Sequence, residues 1–248
     1  MMNNPFSLEG KTILVTGASS GIGRCAAVEC SKLGAKVIIT ARNVERLHET
    51  LSLMEGNNHE VRVCDLSNTQ SIFDMIETLP EIHGVVNNAG FTTLQPLPFI
   101  NELEFQSMIQ VNMMAPIMIL KQMVKKKKIK KGASVVFTSS LAGIGKISVG
   151  NLMYACCKGA ISNFVKGAAK ELAPKLIRVN AVCPAMVETN ILASGTVSEE
   201  QLEKDRLRYP LKRYGKPEEI AWAMIYLLSD ASSWVTGTNM VLDGGISL

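Results

Sequence analysis

A doubly wound parallel α/β fold is what this 248-residue sequence predicts, and three observations predict it. Short β-branched runs alternate with longer segments of helical periodicity along the whole chain. No repeat, low-complexity tract or Pro/Gly/Ser-rich linker divides it, so residues 1–248 read as a single domain. A hydrophobic share of 47% against 19% charged is enough to bury a full core. The strand candidates are 12–16, 36–40, 61–64, 84–87, 134–138, 178–182 and 239–242. Helical periodicity is strongest over 22–33, 44–55, 102–128, 152–173 and 217–228. Seven strands joined by helices imply right-handed crossovers with helices on both faces. In such a sheet ligands bind beyond the carboxyl ends of the strands, so the chemistry is expected there.

Composition excludes several alternatives. No stretch approaches 18 consecutive apolar residues, so no membrane-spanning helix is expected. The opening Met1-Met2-Asn3-Asn4-Pro5 lacks the basic-then-apolar order of a signal peptide. Cys25, Cys30, Cys64, Cys156, Cys157 and Cys183 form no C-x-x-C pair and no Cys/His cluster of metal-binding spacing. Free thiols in a cytoplasmic protein without a metal site are therefore expected. The net charge of +4 is local: Lys125–Lys131 reads KKKKIKK, and without those six lysines the chain carries −2. Aromatics are scarce and none interleaves with the run, which argues against nucleic acid.

The first strand runs into Thr16-Gly17-Ala18-Ser19-Ser20-Gly21-Ile22-Gly23, and a helix follows. Glycines there let the backbone turn sharply and approach a pyrophosphate, whose charge meets the helix N-terminus. The spacing is G-x-x-x-G-x-G, and its place between first strand and first helix points to a dinucleotide in a Rossmann fold. After the second strand no carboxylate appears until Glu45, whereas Arg42 offers a fork suited to a ribose 2′-phosphate. NADP(H) is therefore expected over NAD(H); a solvated Arg at a helix start is the alternative. Asp65-Leu66 follows the third strand, where the adenine should lie. Asn88-Ala89-Gly90 follows the fourth, with side chains small enough for backbone to lie against the cofactor.

Tyr154 and Lys158 stand four apart on a predicted helix and project from one face. The other tyrosines have Arg213, Glu218 and Asp230 at that offset, so none offers a second such pair. A phenol is protonated at neutral pH, and a nearby ammonium together with oxidised nicotinamide is expected to favour phenolate. Such a phenol exchanges a proton with a carbonyl or alcohol oxygen. Ser140, after the fifth strand, could hydrogen-bond the same oxygen.

These residues together resemble the short-chain dehydrogenase/reductase family over essentially the whole chain. TGASSGIG at 16–23, NNAG at 87–90, Ser140, YACCK at 154–158 and Val241-Leu242-Asp243-Gly244-Gly245 occur in the family's order. Length and the closing VTGTNMVLDGG resemble the family's 3-oxoacyl-carrier-protein reductases and its sugar, steroid and polyol dehydrogenases. The resemblance implies that Tyr154 is the catalytic acid/base, Lys158 its tuner and a ribose ligand, and Ser140 the substrate-orienting hydroxyl. It implies that Asn112 bends its helix and positions a water in a proton relay. Pro184, Val187 and Thr189 fall where the family contacts nicotinamide and phosphates, and a homotetramer is implied.

Departures accompany the resemblance. Ala185 stands where relatives have Gly after Pro, and its methyl group could narrow the nicotinamide pocket or alter the local backbone. The spacing of Ser140 from Tyr154 leaves Ser139 as an alternative to Ser140. Residues 186–211 should lid the site, with Met186, Ile191, Leu192, Leu202 and Leu207 giving an apolar lining, Gly195 a hinge, and charged residues from Glu199 to Asp205 an outer face. Lys125–Lys131 and Lys175 are read either as solvated helix ends or as a dock for an acidic acyl-carrier protein. Carbonyl reduction by NADPH, reversible as alcohol oxidation, leads the functional readings. A non-catalytic cofactor sensor and a basic-tract interaction protein are the alternatives from other classes.

Overall fold

The computed structural model describes residues 4–189 and 198–248. Strands β1 (Thr12–Thr16), β2 (Lys36–Ala41), β3 (Glu60–Val63), β4 (Ile82–Asn87), β5 (Ile129–Thr138), β6 (Arg178–Pro184) and β7 (Asn239–Leu242) form one sheet in the order β3-β2-β1-β4-β5-β6-β7. Every pairing is parallel. The chain reverses direction across the sheet between β1 and β4, so the loops after these strands diverge and leave a cleft between them. The predicted class and all seven strands are present, with β1 and β7 bounded as expected.

Alternation along the strands sends apolar side chains to both faces. Leu14, Ile38, Val85, Val135 and Val179 enter one buried layer with helices α3 (Thr69–Glu77), α5 (Ala115–Lys125) and α6 (Leu152–Leu172). Ile13, Val15, Val37, Ile39 and Val136 enter the other with α1 (Gly21–Lys32), α2 (Val44–Ser52) and α8 (Pro217–Leu228). Each such side chain, fully buried, stabilises the fold by about 1.5–3 kcal/mol relative to exposure. This double layer is the rigid floor beneath the strand ends.

Three elements differ from expectation. The helix expected over 102–128 is α4 (Glu102–Ile109), a wide π turn (Gln110–Met114) and α5. Pro116 has no N–H to return to the Asn112 carbonyl, so the regular ladder is interrupted there. Helix α3 was not apparent in the periodicity; Asn68 caps it, its Oδ1 accepting from the N–H groups of Gln70 and Ser71. Helix α7 (Glu199–Arg206) lies within the expected lid and opens with a capping box between Ser198 and Gln201. Ile191, Leu192 and Gly195 lie outside the described residues.

The lysine run is a helix stop joined to a strand start. Lys127 adopts φ 54°, Lys128 N–H donates to Met123 O (2.9 Å) and Lys127 N–H to Val124 O (3.4 Å), which terminates α5 in a left-handed cap. Lys126 pairs with Glu77, and Lys128 Nζ donates to the carbonyls of Glu77 (2.9 Å) and Leu79 (2.6 Å) at the end of α3. All of this sits at the amino end of β5, and Lys175 at that of β6. The seven β5 residues beyond the run, 132–138, at about 3.3 Å each, separate it from the opposite sheet edge. The run, read from sequence as a solvated helix end or a dock, thus lies at the edge opposite the carboxyl ends and closes a helix.

Among the described residues, no helix is long and apolar enough to cross a membrane, and no metal-binding cluster of His, Cys, Asp and Glu is present.

Candidate active site

A cleft of about 630 Å³ opens at the carboxyl edge. Gly17, Ser19, Ser20, Gly21 and Ile22 line it from the β1–α1 turn. Arg42, Asp65, Leu66, Asn88, Ala89, Gly90, Tyr154, Lys158 and Thr189 line it as well. Most of the residues singled out in the sequence therefore converge on one cavity.

The glycine turn is close-packed. A Cβ on Gly17 would lie 2.7 Å from Ala89 Cα, and one on Gly23 would lie 2.3 Å from Gly17 O. Gly17 also has φ 67°, which side chains rarely adopt. Gly23 thus lies beneath the turn and outside the cleft lining. The turn is braced from outside: Thr50 Oγ1 donates to Ala18 O (2.8 Å) and an Arg24 nitrogen to Ser19 O (2.7 Å). Ser20 heads α1 without capping it by a side-chain hydrogen bond. The N–H groups that open α1 therefore face the cleft uncapped, a fit for an anionic group.

A ladder of polar contacts joins the strand ends. Thr16 Oγ1 accepts from the N–H groups of Asn88 (3.0 Å) and Ala89 (3.1 Å), tying β1 to β4. Thr138 Oγ1 donates to Asn88 Oδ1 (3.2 Å), tying β4 to β5. Lys158 Nζ donates to Thr138 O (2.7 Å), tying β5 to α6. Each bond is modest alone; together they fix three strand ends and α6 against one another.

Tyr154 stands one helical turn before Lys158, whose ammonium lies 5.5 Å from the phenol ring centroid. Burial pushes the phenol up to about 12, and the neighbouring Ser140 hydroxyl is the group that draws it back. The thiols of Cys157 and Cys183 raise it further. Desolvation thus sets the direction in the protein alone, opposite to the lowering expected from Lys158. Desolvation also brings the Lys158 ammonium down to about 8. Ser140, rather than Ser139, addresses Tyr154; its Oγ also accepts from Ala142 N–H (3.2 Å). Ser139 is buried and turned toward α6.

Asn112 is buried behind Gly90. Its Nδ2 donates to Phe91 O (2.7 Å) and its Oδ1 accepts from Phe91 N–H (2.9 Å), so the side chain holds the strand-β4 loop. Pro184 and Val187 do not line the cleft: Pro184 ends β6, and Val187 is buried against Gly215. Thr189 does, lying over Gly21. Ala185 needs no left-handed backbone, so its methyl group imposes no strain there. Arg46 was not anticipated. It lines the cleft beside Arg42, and the i, i+4 offset across the start of α2 is the signal that could have found it. At the same end the Asp65 carboxyl is held below its usual range, first by Ser67 N–H and also by Arg42.

A glycine turn at the switch point of a doubly wound sheet, with Ser, Tyr and Lys at the other end of one cleft, defines a nicotinamide-nucleotide oxidoreductase. A family model described as enoyl-(acyl carrier protein) reductase matches residues 17–247. The 3-oxoacyl-[acyl-carrier-protein] reductase FabG of Rickettsia prowazekii is 32% identical over 97% of this chain and 98% of its own. That of Thermotoga maritima is 35% identical over 96% and 98%. Among solved structures, a Pseudomonas aeruginosa RhlG/NADP active-site complex superposes with a TM-score of 0.92 at 28% identity, covering 100% of both chains. The chain belongs to the short-chain dehydrogenase/reductase family, and it is an oxidoreductase that interconverts a carbonyl and an alcohol with a nicotinamide cofactor.

Proposed function

We propose that this chain is an NADPH-dependent reductase of 3-oxoacyl thioesters, running in reverse as a secondary-alcohol dehydrogenase. One observation carries the reading: Tyr154 and Lys158 line the same cleft as Arg42, with Ser140 neighbouring the Tyr154 phenol. The uncapped start of α1 and the backbone of the glycine turn would hold the pyrophosphate, Lys158 the nicotinamide ribose, and Arg42 with Arg46 a 2′-phosphate. Asp65 and Leu66 would flank the adenine, and Thr189 the nicotinamide side. When bound, the reduced nicotinamide supplies a hydride to the carbonyl carbon. Tyr154, protonated at neutral pH, donates its hydroxyl proton to the carbonyl oxygen. Ser140 donates a hydrogen bond to that oxygen, and Lys158 stabilises the phenolate left behind. Asn112 keeps Gly90 and Phe91 in place beside the cofactor.

The rim favours an acyl substrate over a sugar. Residues 91–101 contain no charged side chain, and residues 139–152 contain only Lys146. The Lys146 ammonium donates to Ile246 O (2.8 Å). The two segments meet where Gln95 N–H donates to Gly150 O (2.8 Å), with Leu94 and Val149 exposed beside the contact. Leu94 and Val149 give an acyl chain apolar surface to lie against, beside the uncharged polar groups of Thr92, Gln95 and Asn151. The same reading carries a carrier-linked substrate, NADP(H) preference, a cytoplasmic location, a single domain with residues 186–211 as its lid, and a homotetramer. Apolar Leu97, Phe99, Leu103 and Val241, all exposed in the single chain, support the last.

The test is NADPH consumption over a panel of 3-oxoacyl thioesters, ketoses, steroids and aromatic ketones. The expected outcome is kcat/KM rising with acyl length and highest for the thioesters. Ketoses turned over faster than thioesters would contradict it.

A further inference from the structure

Three consecutive residues at the carboxyl end of β5 face different parts of α6. Thr138 accepts the Lys158 ammonium on its carbonyl (2.7 Å), and Ser140, whose Oγ donates to Pro184 O (3.5 Å), neighbours the Tyr154 phenol. Between them, Ser139 is buried, with its Oγ donating to the Lys158 main-chain carbonyl (2.9 Å) and lying 2.7 Å from the Ser162 Oγ. Ser162 is itself buried and stands one turn beyond Lys158, so Tyr154, Lys158 and Ser162 form one stripe at offsets of four. The stripe is tied on at its inner end, where Asn239 Nδ2 on β7 donates to Ser162 O (3.1 Å). Ser139 N–H meanwhile donates to Val182 O on β6 (2.8 Å). A polar box of β5, α6, β6 and β7, with Ser139 and Ser162 buried at its centre, thus lies under the active helix.

An apolar floor would be the simpler packing solution, because buried hydroxyls need partners to avoid a desolvation penalty. What these hydroxyls add is direction: a hydrogen bond fixes the axial position and rotation of α6 on the sheet, which dispersion contacts leave softer. We propose that Ser139 and Ser162 are positioning residues for the reaction, setting the spacing of Lys158 from Tyr154 through the helix main chain. This rests on the catalytic roles given above to Tyr154 and Lys158, and it gives Ser139 a function separate from that of Ser140.

The test compares Ser139→Ala, Ser162→Ala, the double variant and Ser162→Thr in steady-state NADPH turnover and in amide hydrogen exchange of the protein without cofactor. Ser139→Ala is expected to lower kcat about tenfold with KM for NADPH changed less than about twofold, because no cleft-lining group is removed. The double variant should fall no further than Ser139→Ala, since both substitutions break the same hydroxyl pair. Ser162→Thr keeps the hydroxyl and should retain wild-type kcat. Amides of residues 157–162 should exchange about fivefold faster in Ser139→Ala. A Ser139→Ala enzyme with lowered melting temperature but unchanged kcat would overturn the proposal, as would unchanged exchange in α6. Should the wild type reduce no carbonyl at all, the functional reading falls, and exchange in α6 alone decides whether Ser139 holds the helix.

Discussion

The two edges of the sheet carry cations in opposite circumstances. At the amino edge, Lys126 pairs with Glu77, Lys128 closes the end of α3, Lys11 pairs with Asp230 (2.7 Å) and Lys130 lies 3.9 Å from Glu81. At the carboxyl edge, Lys158 is 3% exposed and donates to one main-chain carbonyl, with no carboxylate beside it among the described residues. The first edge has more charge, and the second has charge that costs stability. Charge density alone is thus a poor guide to chemistry; a buried cation without a counter-ion next to a phenol is a better one.

Lys158→Met should break this comparison most visibly. Turnover should fall by about 10²-fold or more, since the phenolate loses its adjacent cation. Stability should move the other way. The folded-state value of about 8 lies below the ordinary 10.5, so the folded protein binds fewer protons than the unfolded chain between those values. The penalty for burying the ammonium is full below pH 8 and fades as pH rises toward 10.5. Lys158→Met is therefore expected to raise the melting temperature at neutral pH by about 2–5 °C, and the gain should shrink through that window in thermal scans.

Arg42→Ala sharpens the comparison at the far end of the same cleft. Because Arg42 is exposed, the loss in NADPH-over-NADH preference should be moderate, about tenfold in kcat/KM ratio. At the amino edge the effect should be smallest and of opposite sign. Lys127→Gly relieves the left-handed backbone at the end of α5 and should stabilise by about 0.5 kcal/mol in urea titration, with turnover unchanged.

How much of this was legible beforehand depended on which physics each feature used. Strands buried on both faces announce themselves as β-branched runs, so the seven-stranded sheet was readable, and so was the order of the motifs after successive strands. Helix α3 was missed because it is only nine residues long, although Asn68 marked its start and Ile72, Met75 and Ile76 keep the helical spacing. The π turn required noticing that Pro116 removes one donor inside an otherwise continuous pattern. The Tyr154–Lys158 pair was evident from spacing, but the sign of the phenol's shift was not, because desolvation is a property of the assembled helix and strands. The lysine run was visible in the sequence, yet the helix-closing contacts of Lys126 and Lys128 became clear only from the carboxylate and carbonyls of α3 facing them.

Tyr154→Phe addresses the proton donor itself. It removes one oxygen and leaves the ring's packing against α4 in place. Measured together, NADPH binding by fluorescence titration and NADPH oxidation with a 3-oxoacyl thioester should separate. Binding should stay within about twofold of wild type while kcat falls about 10³-fold. A variant that binds NADPH and turns over near the wild-type rate would contradict the assignment of Tyr154 as the group that gives the carbonyl its proton.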